Sequence, residues 1–505
     1  MERILKKRFL MILMSLMLVA GFVPMTASAA PGEKAMSVTV GGVTLDATNQ
    51  FATTNADGKV TLGGSEENHN VMFSDGTLYL CDATIVAPVE YHGISADGYI
   101  TIDIAGTNSV TGGADIQPPD AGAYGIYATG DITITSTNIG GGNLKATGGA
   151  GSNSGGIYSF GGDVTIEGYV GEITAEGVTA ATSSVGIGTG SGNVIINGGT
   201  VNAQGGSVTG EAGESDGICA SDGRSGVDDG GNVYINGGDV KALGGKVDGE
   251  NGHSDAICAD NDISIRTTGE VSATGGTAAG HSNGICSNNG SITINANVTA
   301  NGGKSAGGSI ATSIAINVNE EKDIIIEGGK VYAIGENARD ISAGINAENV
   351  MIKGGALFAA SVGEQQAIAT SLGINGNVVV QPATGKMIAV ETGSGFSPDE
   401  EEPNTTIYDE TALDGSPFTV ESIIGNIDTK VVNIYTGDAP DVTPGTDDPA
   451  EDDQTGNNGS DVKNGGTPET GDDFNAVPVV TLMALAAAVA AGTVAYGVRR
   501  KNGVR

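Results

Sequence analysis

The chain of 505 residues carries 84 glycines, no tryptophan and only 4% aromatic residues, so it does not build a core of large aromatic side chains. A formal charge of −37, from 60 acidic against 23 basic residues, excludes nucleic acid and anionic membrane surfaces as partners, because both require a basic footprint. A hydrophobic share of 39% excludes disorder along the whole length.

Residues 1–29 read as a secretory signal peptide: a basic start (Arg3, Lys6, Lys7, Arg8), an apolar stretch from Phe9 to about Val23, and Ala27-Ser28-Ala29 as the small-residue cleavage site. Cleavage is expected after Ala29; a membrane anchor is the alternative, against which the apolar run is short. Residues 30–92 read as an N-terminal β segment, a cap for the region beginning at residue 93. Within it Val71-Met72-Phe73 and Thr77-Leu78-Tyr79-Leu80 flank the turn Ser74-Asp75-Gly76, a hairpin pattern.

From residue 93 to 385 one phrase recurs. It opens on a small residue and Ile, at Gly93-Ile94, Gly125-Ile126, Gly156-Ile157, Gly186-Ile187, Gly217-Ile218, Ala256-Ile257, Gly284-Ile285, Ser313-Ile314 and Gly344-Ile345, with a weaker copy at Ala367-Ile368. A period of about 30 residues signals a solenoid or propeller. Each repeat then carries two short alternating runs closed by glycine pairs, as in Asn193-Val194-Ile195-Ile196-Asn197-Gly198-Gly199 and Thr200-Val201-Asn202-Ala203-Gln204-Gly205-Gly206. Three strands in about 30 residues are too few for a propeller blade, and no run has helical period. The expected fold is therefore all-β: a right-handed parallel β-helix of about nine coils, its core made of Ile and Val stacked at about 4.8 Å per coil. The open ends need caps, and residues 386–436, with Lys430-Val431-Val432-Asn433-Ile434-Tyr435, supply the second.

Equal offsets in such a fold predict stacked rows. Cys219, Cys258 and Cys286 come directly after the repeat Ile, where earlier coils have Tyr127, Tyr158 and Gly188; the thiols form a ladder of small side chains, a disulfide between neighbouring coils, or a metal site. Glu214, His253 and His281 fall on one edge, either a solvated loop edge or a row that holds a metal ion or sugar hydroxyls. Tyr127 and Tyr158, with Tyr91 and Tyr124 nearby, form either a covering ladder or a modest sugar-stacking row. The longest coil inserts a loop containing Asp222, Arg224, Asp228 and Asp229, to which Asp255 and His253 of the next coil are added as candidates. These are the weak catalytic candidates, since paired carboxylates beside Arg suit acid–base cleavage of a glycoside or binding of Ca²⁺; a plain surface loop is the alternative. Beyond that Ca²⁺, no cofactor is expected.

Residues 437–466 turn to Asp, Pro, Gly, Asn and Thr, a disordered acidic linker. After it come Thr467-Pro468-Glu469-Thr470-Gly471, an apolar span from Ala476 to Val498, and Arg499-Arg500-Lys501. That order resembles the cell-wall sorting signal of Gram-positive surface proteins, whose pattern is Leu-Pro-x-Thr-Gly. Pro468, Thr470 and Gly471 match it, while Thr467 stands in place of Leu. The resemblance implies that a sortase cysteine attacks the Thr470 carbonyl, that Gly471 leaves, and that a cell-wall amine takes the acyl group, so sortase and peptidoglycan are implied partners. The membrane is met only through the sorting segment, and a plain C-terminal membrane anchor is the alternative. The repeat region, residues 36 to 385, resembles a family of secreted Gram-positive β-helix proteins labelled carbohydrate-binding. Taken together, the sequence reads as a non-catalytic surface protein, an adhesin or low-affinity glycan binder. The alternatives are a wall-anchored polysaccharide lyase or hydrolase and a spacer without ligand.

Overall fold

A computed structural model describes residues 32–114, 122–138, 141–221, 230–305, 307, 310–319, 322–361, 370–380, 386–393, 408–410, 418–419 and 431–438. Among these the protein is all-β, a β-solenoid of about eight turns over residues 94–361, one fewer than the repeat count suggests. The signal peptide with Ala27 and Ala29, the loop with Asp222, Arg224, Asp228 and Asp229, the acidic linker and the sorting signal from Thr467 to Gly471 lie outside the described residues. Among the described residues no helix is long and apolar enough to cross a membrane.

Each turn contributes one strand to each of three parallel sheets. The first stacks Ile94, Ile126, Ile157, Ile187, Ile218, Ile257 and Ile285 in register. The second stacks the Ile-x-Ile or Val-x-Ile pairs such as Ile132/Ile134, Val164/Ile166 and Val194/Ile196. In the third, Val201/Ala203, Val240/Ala242 and Val271/Ala273 succeed one another. All of these side chains are buried, and the alternate residues face outward, as the period of two demands. Within these stacked turns the core is aliphatic, with Phe73 of the N-terminal hairpin joining it at one end, which explains how a chain without Trp closes an interior. A short fourth ladder, Ala180, Val208, Val247 and Ala278, forms a small satellite core beside the third sheet.

Two positions of the repeat shift. Ile285 stacks on Ile316 rather than on Ile314, and Ile345 stacks on Ile374 rather than on Ile368, which itself lies outside the described residues. At 312–317 the sequence offers two Ile two residues apart. Ile314 falls instead in the outward column above Asn283.

Both ends of the solenoid are paired. The hairpin Val71–Ser74/Thr77–Cys81 turns through Asp75 and Gly76, whose φ values of 50° and 71° are those of a two-residue type I′ turn. Thr77–Cys81 then continues the second sheet below Thr101–Ala105, and Val38–Val40 runs antiparallel to Ile94–Ala96. At the far end Val431–Asp438 pairs antiparallel with Ala356–Ser361 and with Lys386–Gly393, and Ile434 is buried. Antiparallel strands at both edges stop the parallel stacking that would otherwise invite another chain.

Candidate functional site

The outer face of the first sheet carries a group of aromatic side chains, three of the four thiols and two buried acidic side chains. From the coil of Ile157 onward Ser, a variable residue, a small residue and the repeat Ile succeed one another, as in Ser215-Asp216-Gly217-Ile218, while the first two coils have Tyr91 and Ala123 in place of Ser. A Cβ at Gly217 would lie 2.7 Å from both Leu243 N and Ala256 O, so only a small residue fits there. Gly217 and Ile218 both face the interior, so the alternation skips one residue and positions i and i+3 share the outer face. Two adjacent columns result: Tyr124, Gly155, Val185, Asp216, Asp255 and Asn283 in one, Tyr127, Tyr158, Gly188, Cys219, Cys258 and Cys286 in the other.

In the first coils these columns are aromatic. Tyr124 stacks on Tyr158 with centroids 4.8 Å apart and planes 10° from parallel, and it meets Tyr127 at 5.5 Å. His92 lies 4.7 Å from Tyr127 and closes the group. Tyr124 is the buried member, its phenol pushed well above the ordinary value by burial and then by Tyr158 and Tyr127. Tyr127 and Tyr158 are half-buried, and burial raises the Tyr127 phenol, with Asp97 adding to it. Glycines at 155 and 188 make room for the rings: a Cβ at Gly155 would fall 2.8 Å from Tyr124 and one at Gly188 3.2 Å from Tyr158. Phe160, two residues after Tyr158, is 65% exposed, and Tyr91, next to His92, is 48% exposed.

Further along, the columns become acid and thiol. The Asp255 amide donates to Asp216 Oδ1 at 3.1 Å, and the Asn283 amide and Nδ2 both donate to Asp255 Oδ1 at 2.9 Å. Both carboxyls are buried; burial, reinforced by Asp255 and Glu214, holds Asp216 well above the carboxylate range, and burial lifts Asp255 to about 6 despite the two Asn283 donors. The Asp255 carboxylate, Cys258 Sγ and Cys286 Sγ lie within 4.8 Å of one another. All four cysteines are free thiols. A hydrogen bond to Cys258 favours the Cys219 thiolate, but burial and the surrounding carboxylates outweigh it and push this thiol up to about 12. Cys258 and Cys286 are raised well above their usual value, each first by the thiol below it and then by burial.

At the margin Glu214, His253 and His281 pair in sequence, the two imidazoles 4.8 Å apart and His281 Nδ1 2.8 Å from Thr312 Oγ1. Burial lowers both imidazoles, and His253 lowers His281 further against the opposing pull of Asp255. They are therefore neutral at pH 7 and form a polar edge to the acid–thiol columns. A shallow groove over the glycine corners, lined by residues including Gly206, Gly245, Lys246 and Gly276, runs along the neighbouring edge.

One row escaped the sequence reading. Ser184, Ser215, Ser254 and Ser282 are wholly buried and point into the glycine corners. Ser254 Oγ donates to Gly245 O at 2.7 Å and accepts from Gly276 N at 3.1 Å, and Ser215 does the same for Gly206 and Gly245 at 2.6 and 3.1 Å. The hydroxyls thus stitch each corner to the next. Their signal, Ser three residues before the repeat Ile, is present in the sequence. Comparison of the chain with family models, with curated proteins and with solved structures finds no match.

Proposed function

We propose that this is a secreted, wall-displayed, non-catalytic surface protein that makes low-affinity contacts with glycans through the aromatic face of its first sheet. The observation that carries this reading is the ring group of His92, Tyr124, Tyr127 and Tyr158, with the exposed Phe160 two residues beyond Tyr158. Rings fixed by stacking lose little entropy when a sugar packs on them, and their phenol and imidazole edges offer hydrogen-bond partners. The sorting signal at Thr467–Gly471 and the acidic linker supply display at a distance from the cell. The test is a panel of bacterial and host polysaccharides, scored for retention of the protein and for new sugar ends. Retention without new ends, falling about three- to tenfold in Tyr158→Ala and Phe160→Ala, is expected. Release of sugar ends would make the protein an enzyme, and no retention on any glycan would make it a spacer.

A further inference from the structure

The acid–thiol columns contain a local contradiction. Stacked Asn side chains satisfy outward positions elsewhere, for example Asn346 Nδ2 donating to Asn317 Oδ1 at 2.8 Å and Asn232 Nδ2 to Asn193 Oδ1 at 2.8 Å. Two buried carboxyls one rung apart are a costly replacement for that arrangement, and among the described residues no Lys or Arg contacts either. A second feature points to the same place: Asn283 is 3% exposed, its Nδ2 is held by Asp255, and its Oδ1 has no hydrogen-bond partner. The next residue in that column is the apolar Ile314. An unpartnered buried acceptor therefore sits one rung from a buried carboxyl that itself lies against two buried thiols.

We propose that Asp255, Cys258 and Cys286 bind a thiophilic divalent cation of the Zn²⁺ and Cd²⁺ class, with the Asn283 carbonyl oxygen beside it. Three donors within 4.8 Å of one another surround a point about 2.8 Å from each, so an inward adjustment of about half an ångström reaches a Zn–S bond of about 2.3 Å. Two thiolates neutralise the divalent charge, and the carboxylate completes a donor set of borderline softness. On binding, Cys258 and Cys286 each form one bond from sulfur to the metal and each give up the thiol proton to solvent, so two protons leave per ion.

The test uses the full chain, reduced and stripped with a chelator, titrated with Cd²⁺ while the thiolate-to-metal absorbance in the ultraviolet is followed, with Zn²⁺ as competitor. One ion per chain is expected, with proton release, no signal in Cys258→Ser or Cys286→Ser, an unchanged signal in Cys81→Ser, and affinity weaker on the order of tenfold in Asp255→Asn. An independent reading needs no variant: the bound ion protects Cys258 and Cys286, and not Cys81, from alkylation scored by peptide mass. Absence of a signal in the parent protein, a signal surviving in both serine variants, or equal alkylation of all four cysteines with and without Cd²⁺ would overturn the proposal.

Discussion

Replacing Gly245 by Ala tests whether the glycine corners set the spacing of the coils. A Cβ at Gly245 would sit 2.0 Å from Gly206 O, 2.3 Å from Ser215 Oγ and 2.7 Å from Gly205 O, all atoms of the coil below. Two of these are backbone carbonyls, so no rotamer relieves the contact, and the two coils must separate by about 1 Å or more at this corner, since Cβ contacts below 3.0 Å are not tolerated and ordinary packing begins at 3.4 Å. Separation loosens the bonds from Gly245 N to Ser215 Oγ at 3.1 Å and from Val208 N to Lys246 O at 2.7 Å. Overpacking costs about 1–3 kcal/mol and two lost hydrogen bonds add about 1 kcal/mol each, giving about 3–5 kcal/mol. Gly161→Ala is the control: its nearest neighbour is Thr129 O at 3.3 Å, and its cost stays below about 1 kcal/mol. Urea unfolding followed by circular dichroism at unchanged m reads the difference. Because a solenoid couples nearest neighbours, amide exchange in Gly245→Ala accelerates first in the coils of Gly206 and Gly276. A Gly245→Ala midpoint equal to that of Gly161→Ala would refute the argument that close backbone approach selects glycine here.

The serine row carries its own prediction. Ser254→Ala leaves the Gly276 amide without its hydroxyl acceptor and costs about 1–3 kcal/mol in urea unfolding, whereas Ala at the exposed Ser207 changes stability by less than about 0.5 kcal/mol. A pH dependence arises from Asp103, which burial pushes above its ordinary value while the Thr137 amide and hydroxyl donors at 3.1 and 2.8 Å pull it down. The folded state then holds the proton more tightly than the unfolded chain. Its contribution is complete below about pH 3.9 and is lost as pH rises through the folded value. Asp103→Asn should therefore equal the parent in urea midpoint near pH 3.5 and exceed it at pH 7, and a constant difference across that range would count against the assignment.

The repeat and its stacked rows were legible because parallel in-register pairing converts equal offsets in sequence into contacts in space. Ile94 to Ile285, Tyr127 over Tyr158, Cys219 to Cys286, and Glu214 to His281 all lie as their offsets require. Where two apolar residues satisfied the same local pattern, at Ile314 and Ile316, periodicity alone chose the wrong one. The serine three residues earlier would have chosen correctly, since Ser313 continues the row below it at Ser282 while Ile316 continues the core.

What the sequence could not decide is which rows touch. A regular strand places residues three apart on opposite faces, so Asp255 and Cys258 read as unrelated, and Tyr124 is placed near the Tyr127 row without a contact to it. The small residue before each repeat Ile, pressed against neighbouring backbone, turns the strand by one position and joins the two columns into one face. Composition, period and offsets fix the coil and its aliphatic core, because these depend on local alternation and translation along one axis. The meeting of aromatic, acid and thiol columns depends on a break in that alternation, and only the folded coil reveals on which side of the sheet the chain emerges.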